Sequence, residues 1–332
     1  LVKVKLVAVA KDEAAYLPYW VFHHLYFGFD EIDIYLNRTS DNSKEIISKI
    51  NENFPCVNFI DADWVSLVDV GTSFQLITYA QAFWRLKHDN TDFTHVMFLD
   101  IDEFWTSKDF KTNIKDFIKN FPTAGVVSFN WMNVADDFEL FSPLQKNINY
   151  GLRHPVKSII KLDATINKMN IHHPVLADSS IYNSITPSGD DIKLNGTSRL
   201  AELEEHDFFI LHRLYRSPKE YIASLLRGNP EENTSIKLNR HGYNLVNNPK
   251  KQFMINSQEY SDYLISYNSF LNISCINNDL DFAKKTVLGR YDKFVTMLEK
   301  GPDLFPKKEH ELIKKVLKGI NDKRVVEAAS FF

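Results

Sequence analysis

Val96-Met97-Phe98-Leu99-Asp100-Ile101-Asp102-Glu103-Phe104 is an apolar run that stops in three acids. Four apolar residues bounded by polar ones suit a buried strand, and acids at its end suit a site at the edge of a sheet. Carboxylates this close repel one another unless a cation, a proton or hydrogen bonds offset the charge. If the strand continues through them, Asp100 and Asp102 point to the same side. Such a pair can hold a hard divalent metal at the mouth of an α/β sheet. A phosphatase could use the same strand end, with Asp100 as phosphoryl acceptor and Asp102 as general acid. That motif usually has Thr or Val where Phe104 stands, and it usually opens its domain. The bland alternative is a solvated loop after a strand.

Outward from this stretch, two periods alternate. Residues 2–10, 32–36, 57–60 and 95–99 read as strands. Residues 13–27, 43–53 and 74–86 read as the helices between them, with Leu17, Trp20, Val21, His24 and Leu25 at helical spacing in the first. A further helix at 114–119 and strand at 125–129 continue the series. Repeated β-α units imply an α/β fold, with a mostly parallel sheet flanked by helices on both faces. After residue 130 the periodicity weakens. Residues 131–155 and 163–205 are rich in Asn, Asp, Pro and Ser and read as binding loops or lids. Strand-like runs return at 156–162 and 207–214, and the chain reads as helical from about residue 257.

The chain has 332 residues, 44% hydrophobic and 25% charged, which is ordinary for a globular protein with a real core. A net charge of -4 gives no reason to expect nucleic acid as a partner. Only Cys56 and Cys275 are present, so a disulfide framework and a thiol zinc site are both unexpected. No apolar run of membrane-spanning length is visible. The expected location is cytoplasmic, including the inner face of a membrane.

The N-terminal residues narrow the chemistry. They are Val7-Ala8-Val9-Ala10-Lys11-Asp12-Glu13, Tyr16-Leu17, Trp20, His24, Gly28-Phe29-Asp30, Ile34-Tyr35 and Ser40-Asp41-Asn42-Ser43. With Gln75 and Tyr79 ahead of the DIDEF stretch, this pattern resembles the family 2-like and family 92-like glycosyltransferases of the GT-A fold. The resemblance is strong over residues 4–105. It extends in patches to Lys157, His172-His173, Leu211-His212, Arg216-Ser217 and Arg227-Gly228. Two departures stand out. Ser224 occupies a place where the family often has Lys, and Arg213 follows the late His where Tyr is common.

The resemblance implies a GT-A catalytic domain over 1–230, with a nucleotide-sugar half at about 1–105 and an acceptor-side half at 106–230. A mainly helical extension, 231–332, would pack on it. The implied activity is transfer of a sugar from a nucleotide-diphosphate sugar to a glycan or lipid-linked acceptor, with inversion (a hexosyltransferase-type enzyme of class EC 2.4). Ala10, Lys11, Glu13, Asp41, Asp63, Gln75 and Ile101 would border the donor, and Asp100 would sit near its ribose or a metal-bound water. Asp102 would bind Mn²⁺ or Mg²⁺, joined by Asp100 and His212; oxygen ligands suit both ions and imidazole suits Mn²⁺. Arg216 and Arg227 would neutralise phosphate charge. Trp131, Lys157, His172 and His173 are candidates for the acceptor or the diphosphate. For each, an ordinary core, loop or solvated helix-face residue is the competing reading. The competing function is a non-catalytic glycan- or nucleotide-binding protein on the same scaffold.

An inverting transfer needs a carboxylate within hydrogen-bond reach of the acceptor hydroxyl. Asp136 and Asp137 lie in the loop after a strand, and Asp191, beside Asp190, lies about where related enzymes place their base. Surface acids would look the same. Finally, residues 307–324 read as a basic amphipathic helix with Leu312, Ile313, Val316, Leu317 and Ile320 on one side. It is a candidate for peripheral membrane contact, against the plainer reading of a packed surface helix.

Overall fold

The computed structural model describes residues 1–67, 73–89, 91–178, 181–196, 198–227, 237, 240–245 and 251–332. The expected alternation appears as β1 (Val4–Ala10), α1 (Leu17–Tyr26), β2 (Glu31–Leu36), α2 (Ser43–Asn53), β3 (Val57–Asp61), α3 (Phe74–His88) and β4 (His95–Phe98). Helix α1 starts later than residue 13 because Pro18 sits in its first turn, where a missing N–H costs nothing. The next elements are β5 (Glu103–Ser107), α4 (Ile114–Lys119), β6 (Ala124–Ala135) and β7 (Asn147–Lys161). Short strands β8 (Ile166–Lys168), β9 (Val175–Leu176), β10 (Asn183–Ile185), β11 (Leu194–Asn195) and β12 (Arg199–Leu200) precede β13 (Phe208–His212). The chain continues through α5 (Pro218–Leu225), β14 (Lys251–Met254), α6 (Ser257–Ser274), α7 (Asn277–Glu299), α8 (His310–Leu317) and α9 (Lys323–Ala329).

The main sheet runs β3-β2-β1-β4-β7-β6-β13-β5. Strands β3, β2, β1 and β4 pair in parallel, as do β6 and β13. The β4–β7, β7–β6 and β13–β5 pairs are antiparallel. Both faces are buried, which is why β1 and β4 read as continuous apolar runs. Leu6, Ala8, Met97 and Leu99 face one core cluster, while Val7, Val96 and Phe98 face another under α3 with Tyr79 and Phe83. The larger cluster continues without a break into the C-terminal helices through Phe270, Val287, Leu298, Val316 and Val325. The expected domain boundary at 230–231 lies outside the described residues.

Three expectations about local structure are corrected. Residues 131–155 are not loose throughout: β6 and β7 form a long antiparallel ribbon there, and only the connection 136–146 is irregular. A bulge between Asn130 and Trp131 breaks the two-residue alternation, so the pattern in sequence is blurred. The strand at 95–99 does not run through the acids. It ends at Phe98, a turn follows in which Glu103 N–H donates to Asp100 O (3.0 Å), and β5 then returns antiparallel to β13. Residues 307–324 are not one helix. A 3₁₀ turn leads into α8, and α9 starts only at Lys323, with Gly319 between them at φ +88°. Of the apolar side that could have faced a membrane, Ile313, Val316, Leu317 and Ile320 are buried in the protein core and Leu312 is exposed. Among the described residues no helix is long and apolar enough to cross a membrane.

Candidate functional site

A cleft of about 360 Å³ opens beyond the carboxyl ends of β1 and β4, where open α/β sheets bind their ligands. Ten expected site residues line it: Ala10, Lys11, Glu13, Gln75, Asp100, Ile101, Asp102, Trp131, His212 and Arg227. Lys237 and Arg240 line it as well, and neither belonged to the expected set.

The acid turn is held from several sides. Trp20 Nε1, from α1, donates to the carbonyls of Asp100 (3.0 Å) and Glu103 (2.9 Å). Asp100 N–H donates to Glu103 Oε2 at 2.8 Å, and Arg213 N–H donates to Asp102 O at 2.8 Å. The Asp100 carboxylate accepts from Gln75 Nε2 (2.5 Å) on one oxygen and lies 3.4 Å from Lys157 Nζ on the other. Lys157 also reaches Glu103 Oε2 at 3.2 Å. Burial works against the Lys157 charge, but Asp100 and Glu103 outweigh it and raise its pKa. Burial, helped by Asp100 and Asp102, raises the pKa of Glu103 well above the usual carboxylate range. Lys157 and Glu103 thus lie beneath the cleft rather than in it.

Asp102 and His212 face each other from the turn and from the end of β13, with Asp102 Oδ1 and His212 Nε2 3.6 Å apart. His212 Nδ1 lies 3.2 Å from Asn133 Oδ1, an acceptor. Burial disfavours the charged form of Asp102, but His212, Arg240 and Arg216 outweigh it and hold its carboxyl well below the usual range. A carboxylate and an imidazole opposed across a gap could share Mn²⁺, and a hydrogen bond from Nδ1 to Asn133 Oδ1 would be the usual support for such a ligand. Asp100 is committed to Gln75 and Lys157, and among the described residues no three His, Cys, Asp or Glu side chains close around a single metal position. Asp102 and His212 fit the ion; the remaining positions would fall to water or ligand oxygens.

Opposite the acids stands a group of cations. Burial, with Arg240 and Arg290 nearby, pushes Arg227 down to about 10. Burial, with Arg240 and Arg227, holds Lys237 well below its ordinary value. Burial lowers Lys11, and Arg227 and Arg38 add to the effect against Asp12. Cations that depress one another are stabilised by an incoming anion. Glu13 offsets part of this charge through Arg227 and through Arg216 (3.1 Å). Arg216 itself stacks 3.4 Å above the Tyr16 ring and donates to Ile101 O (3.4 Å), beside the cleft rather than in its lining.

The other expected residues are elsewhere. Asp41 accepts from Ala14 N–H (2.9 Å) and from Ser43, while Asp12 accepts from Ser40 N–H (2.6 Å) and Asp41 N–H (3.2 Å). The Lys11-Asp12-Glu13 and Ser40-Asp41 turns thereby brace each other, and Asp41 does not line the cleft. Asp63 is exposed and caps Arg38 N–H at 2.5 Å. Asp137 makes a buried two-pronged ion pair with Arg213 (2.8 and 3.0 Å), and Asp136 bonds Asn149 and Asn244. Asp191 lines a separate cleft. None of the three base candidates lines the first one. His173 is buried beneath the sheet surface against Ser128 Oγ (2.8 Å). His172 donates from Nδ1 to Val156 O (2.9 Å) and packs 5.5 Å from the Trp131 ring, whose other neighbour is His212 at 4.3 Å. Gly228 lies outside the described residues.

Lys237 and Arg240 had a signal in the sequence. With Ser224 in place of the expected lysine, they are the next cations along the chain after Arg227.

No protein-family model matches the chain, and no curated protein matches it. Among solved structures, HddC from Yersinia pseudotuberculosis is similar over 49% of this chain and 77% of that one, at 12% identity and a TM-score of 0.29.

Proposed function

We propose that the chain is a glycosyltransferase of the GT-A type, similar to families 2 and 92, acting on a nucleotide-diphosphate sugar with Mn²⁺ or Mg²⁺. One observation carries this reading. Asp102 and His212 stand in the same cleft as Lys11, Arg227, Lys237 and Arg240. A dianionic diphosphate needs cations, and a metal between carboxylate and phosphate completes their balance. When bound, the metal supplies Lewis-acid stabilisation of the departing diphosphate. The chain's own residues hold the phosphates through Arg227, Lys237 and Arg240, and offer the Trp131 face to a sugar ring. The acceptor is a glycan or lipid-linked glycan, and the site of action is the cytoplasm or the inner face of a membrane.

A second reading, a non-catalytic nucleotide- or glycan-binding protein, is favoured by the placement of Asp136, Asp137 and Asp191 outside this cleft. Titration with nucleoside diphosphates, with and without Mn²⁺, tests what the two readings share. A hydrolysis screen over nucleotide sugars separates them. Metal-dependent diphosphate binding with slow donor hydrolysis is expected, and Asp102→Asn should abolish both. Binding without any hydrolysis would transfer the case to the binding protein, and no binding at all would end both readings.

A further inference from the structure

Asp12 adopts φ +52°, in the left-handed region that residues other than glycine seldom enter. Such a backbone persists only when its surroundings hold it, and it often marks a working site. Some of the holds on Asp12 are local. Its N–H donates to Thr39 Oγ1 at 2.8 Å, and its Oδ1 accepts from the N–H groups of Ser40 and Asp41. Another comes from α7, at the far end of the chain. Arg290 Nη2 donates to Asp12 O at 3.3 Å, and Arg290 Nη1 lies 3.9 Å from Asp12 Oδ2. One guanidinium thus spans the carbonyl and the carboxylate of a single residue.

Asp12 sits between two residues of the cleft. Lys11 and Glu13 line it, whereas Asp12 and Arg290 do not. These two line a pit behind it with Ser224, Arg227 and Val287, and Arg227 is the side chain common to pit and cleft. The pit is about 10 Å³, too small for a phosphate group, so Arg290 acts from behind a ligand rather than on it. Its charge still reaches the cleft: after burial and Arg240, Arg290 lowers the pKa of Arg227. A cation held close to other cations favours an incoming anion. Val287, three residues before Arg290 on the same helix face, is packed in the core, so α7 is a fixed mount.

We propose that Arg290 is a positioning residue for phosphates in the cleft. From α7 it fixes the Asp12 turn, so that Lys11 and Glu13 keep their places in the lining, and it sets positive charge behind Arg227. The C-terminal helices are then part of the binding site rather than an attachment to it. The proposal rests on the nucleotide-diphosphate reading of the cleft.

The probes are UDP, GDP, ADP and CDP, titrated calorimetrically into the full chain with Mg²⁺, and the tightest binder is carried through the variants. Arg290→Met should weaken it about tenfold. Arg290→Lys keeps the charge but has no fork to span both oxygens of Asp12, and should weaken it about threefold. Lys285→Met, an equal change of charge at an exposed position of α7, should leave the affinity unchanged. Thermal melts of each variant separate positioning from support, because a mere tie between helix and turn would lower the melting temperature and leave the affinity parental. Parental affinity in Arg290→Met would overturn the proposal, as would an equal loss in Lys285→Met. If Arg290→Met does not fold, parental affinity in Arg290→Lys overturns it. A parent chain that binds none of the four diphosphates would end the nucleotide reading and this proposal together. Binding by the parent with no loss in the variants would end this proposal alone.

Discussion

Lys157 Nζ lies 3.2 Å from Glu103 Oε2, and both side chains are essentially without exposed surface. Lys157 comes from β7 and Glu103 from the first position of β5, so the contact joins the antiparallel ribbon to the acid turn. Glu103 Oε1 is buried without a hydrogen-bond partner, which makes Lys157 the main compensation for this carboxyl. Lys157→Met should therefore cost about 3 kcal/mol of stability, the usual result of removing one partner from a buried pair. Lys157→Met/Glu103→Gln should recover a large part of that. Urea denaturation measures both, and a single-variant loss below about 0.5 kcal/mol would show that the pair is not holding the turn.

Arg240 Nη2 stands 3.8 Å from Asp102 Oδ2, on the side away from His212. A guanidinium there competes with a metal for the carboxylate. Arg240→Ala should tighten Mn²⁺ binding while weakening nucleoside diphosphate, whereas His212→Ala should weaken Mn²⁺ about tenfold or more. Calorimetric titration of each ligand separates the effects. A parallel loss of metal and diphosphate in Arg240→Ala would mean that Arg240 does not compete for Asp102.

The first half of the fold was legible because burial on both sheet faces makes β1 and β4 plain apolar runs, with β2 and β3 spaced from them by helical stretches. The acid turn was legible for the same reason, since its carboxylates interrupt such a run. The β6–β7 ribbon was hidden by the Asn130/Trp131 bulge and by polar residues such as Asn133, Asn147 and Asn149 within strands. Tertiary pairing set the conformation there against local propensity. Asp41 and Asp137 were chemically reasonable candidates, but their carboxylates are engaged by Ala14, Ser43 and Arg213, and no spacing rule reveals such partners. Arg240 reaches Asp102 from more than a hundred residues away, which is a tertiary fact.

Burial pushes His23 down to about 3, and His95 and His173 down to about 4, from the ordinary 6.5. Between the folded and unfolded values the unfolded chain binds more protons, so stability rises with pH across that window. Each such group contributes no penalty above about pH 6.5, and its penalty grows as pH falls toward the folded value. His23→Gln removes one of them. Its stability should change with pH less steeply than the parent's by about 1.4 kcal/mol per unit between about pH 4 and pH 6. Parallel curves of melting temperature against pH would show that His23 is not held neutral. His23 Nδ1 lies 2.8 Å from Tyr263 Oη of α6, so its protonation should also loosen the C-terminal helices, which hydrogen exchange would register.

One route from the C-terminal part to the cleft runs through Tyr243. Tyr243 N–H donates to Lys318 O (2.7 Å), and Tyr243 Oη donates to Arg216 O (3.2 Å). The segment 240–245, which carries Arg240, is thereby held against the turn that follows α8. Gly319 makes this approach possible: its φ is +88°, and a Cβ there would press on the carbonyl oxygen of Tyr243. Gly319→Ala should destabilise the protein by more than about 1 kcal/mol, because strain at positive φ and a backbone clash act together. It should also weaken nucleoside diphosphate binding by displacing Arg240. Thermal melts and paired titrations check the two effects. A destabilised variant with parental diphosphate affinity would show that the C-terminal helices support the fold without positioning the cation.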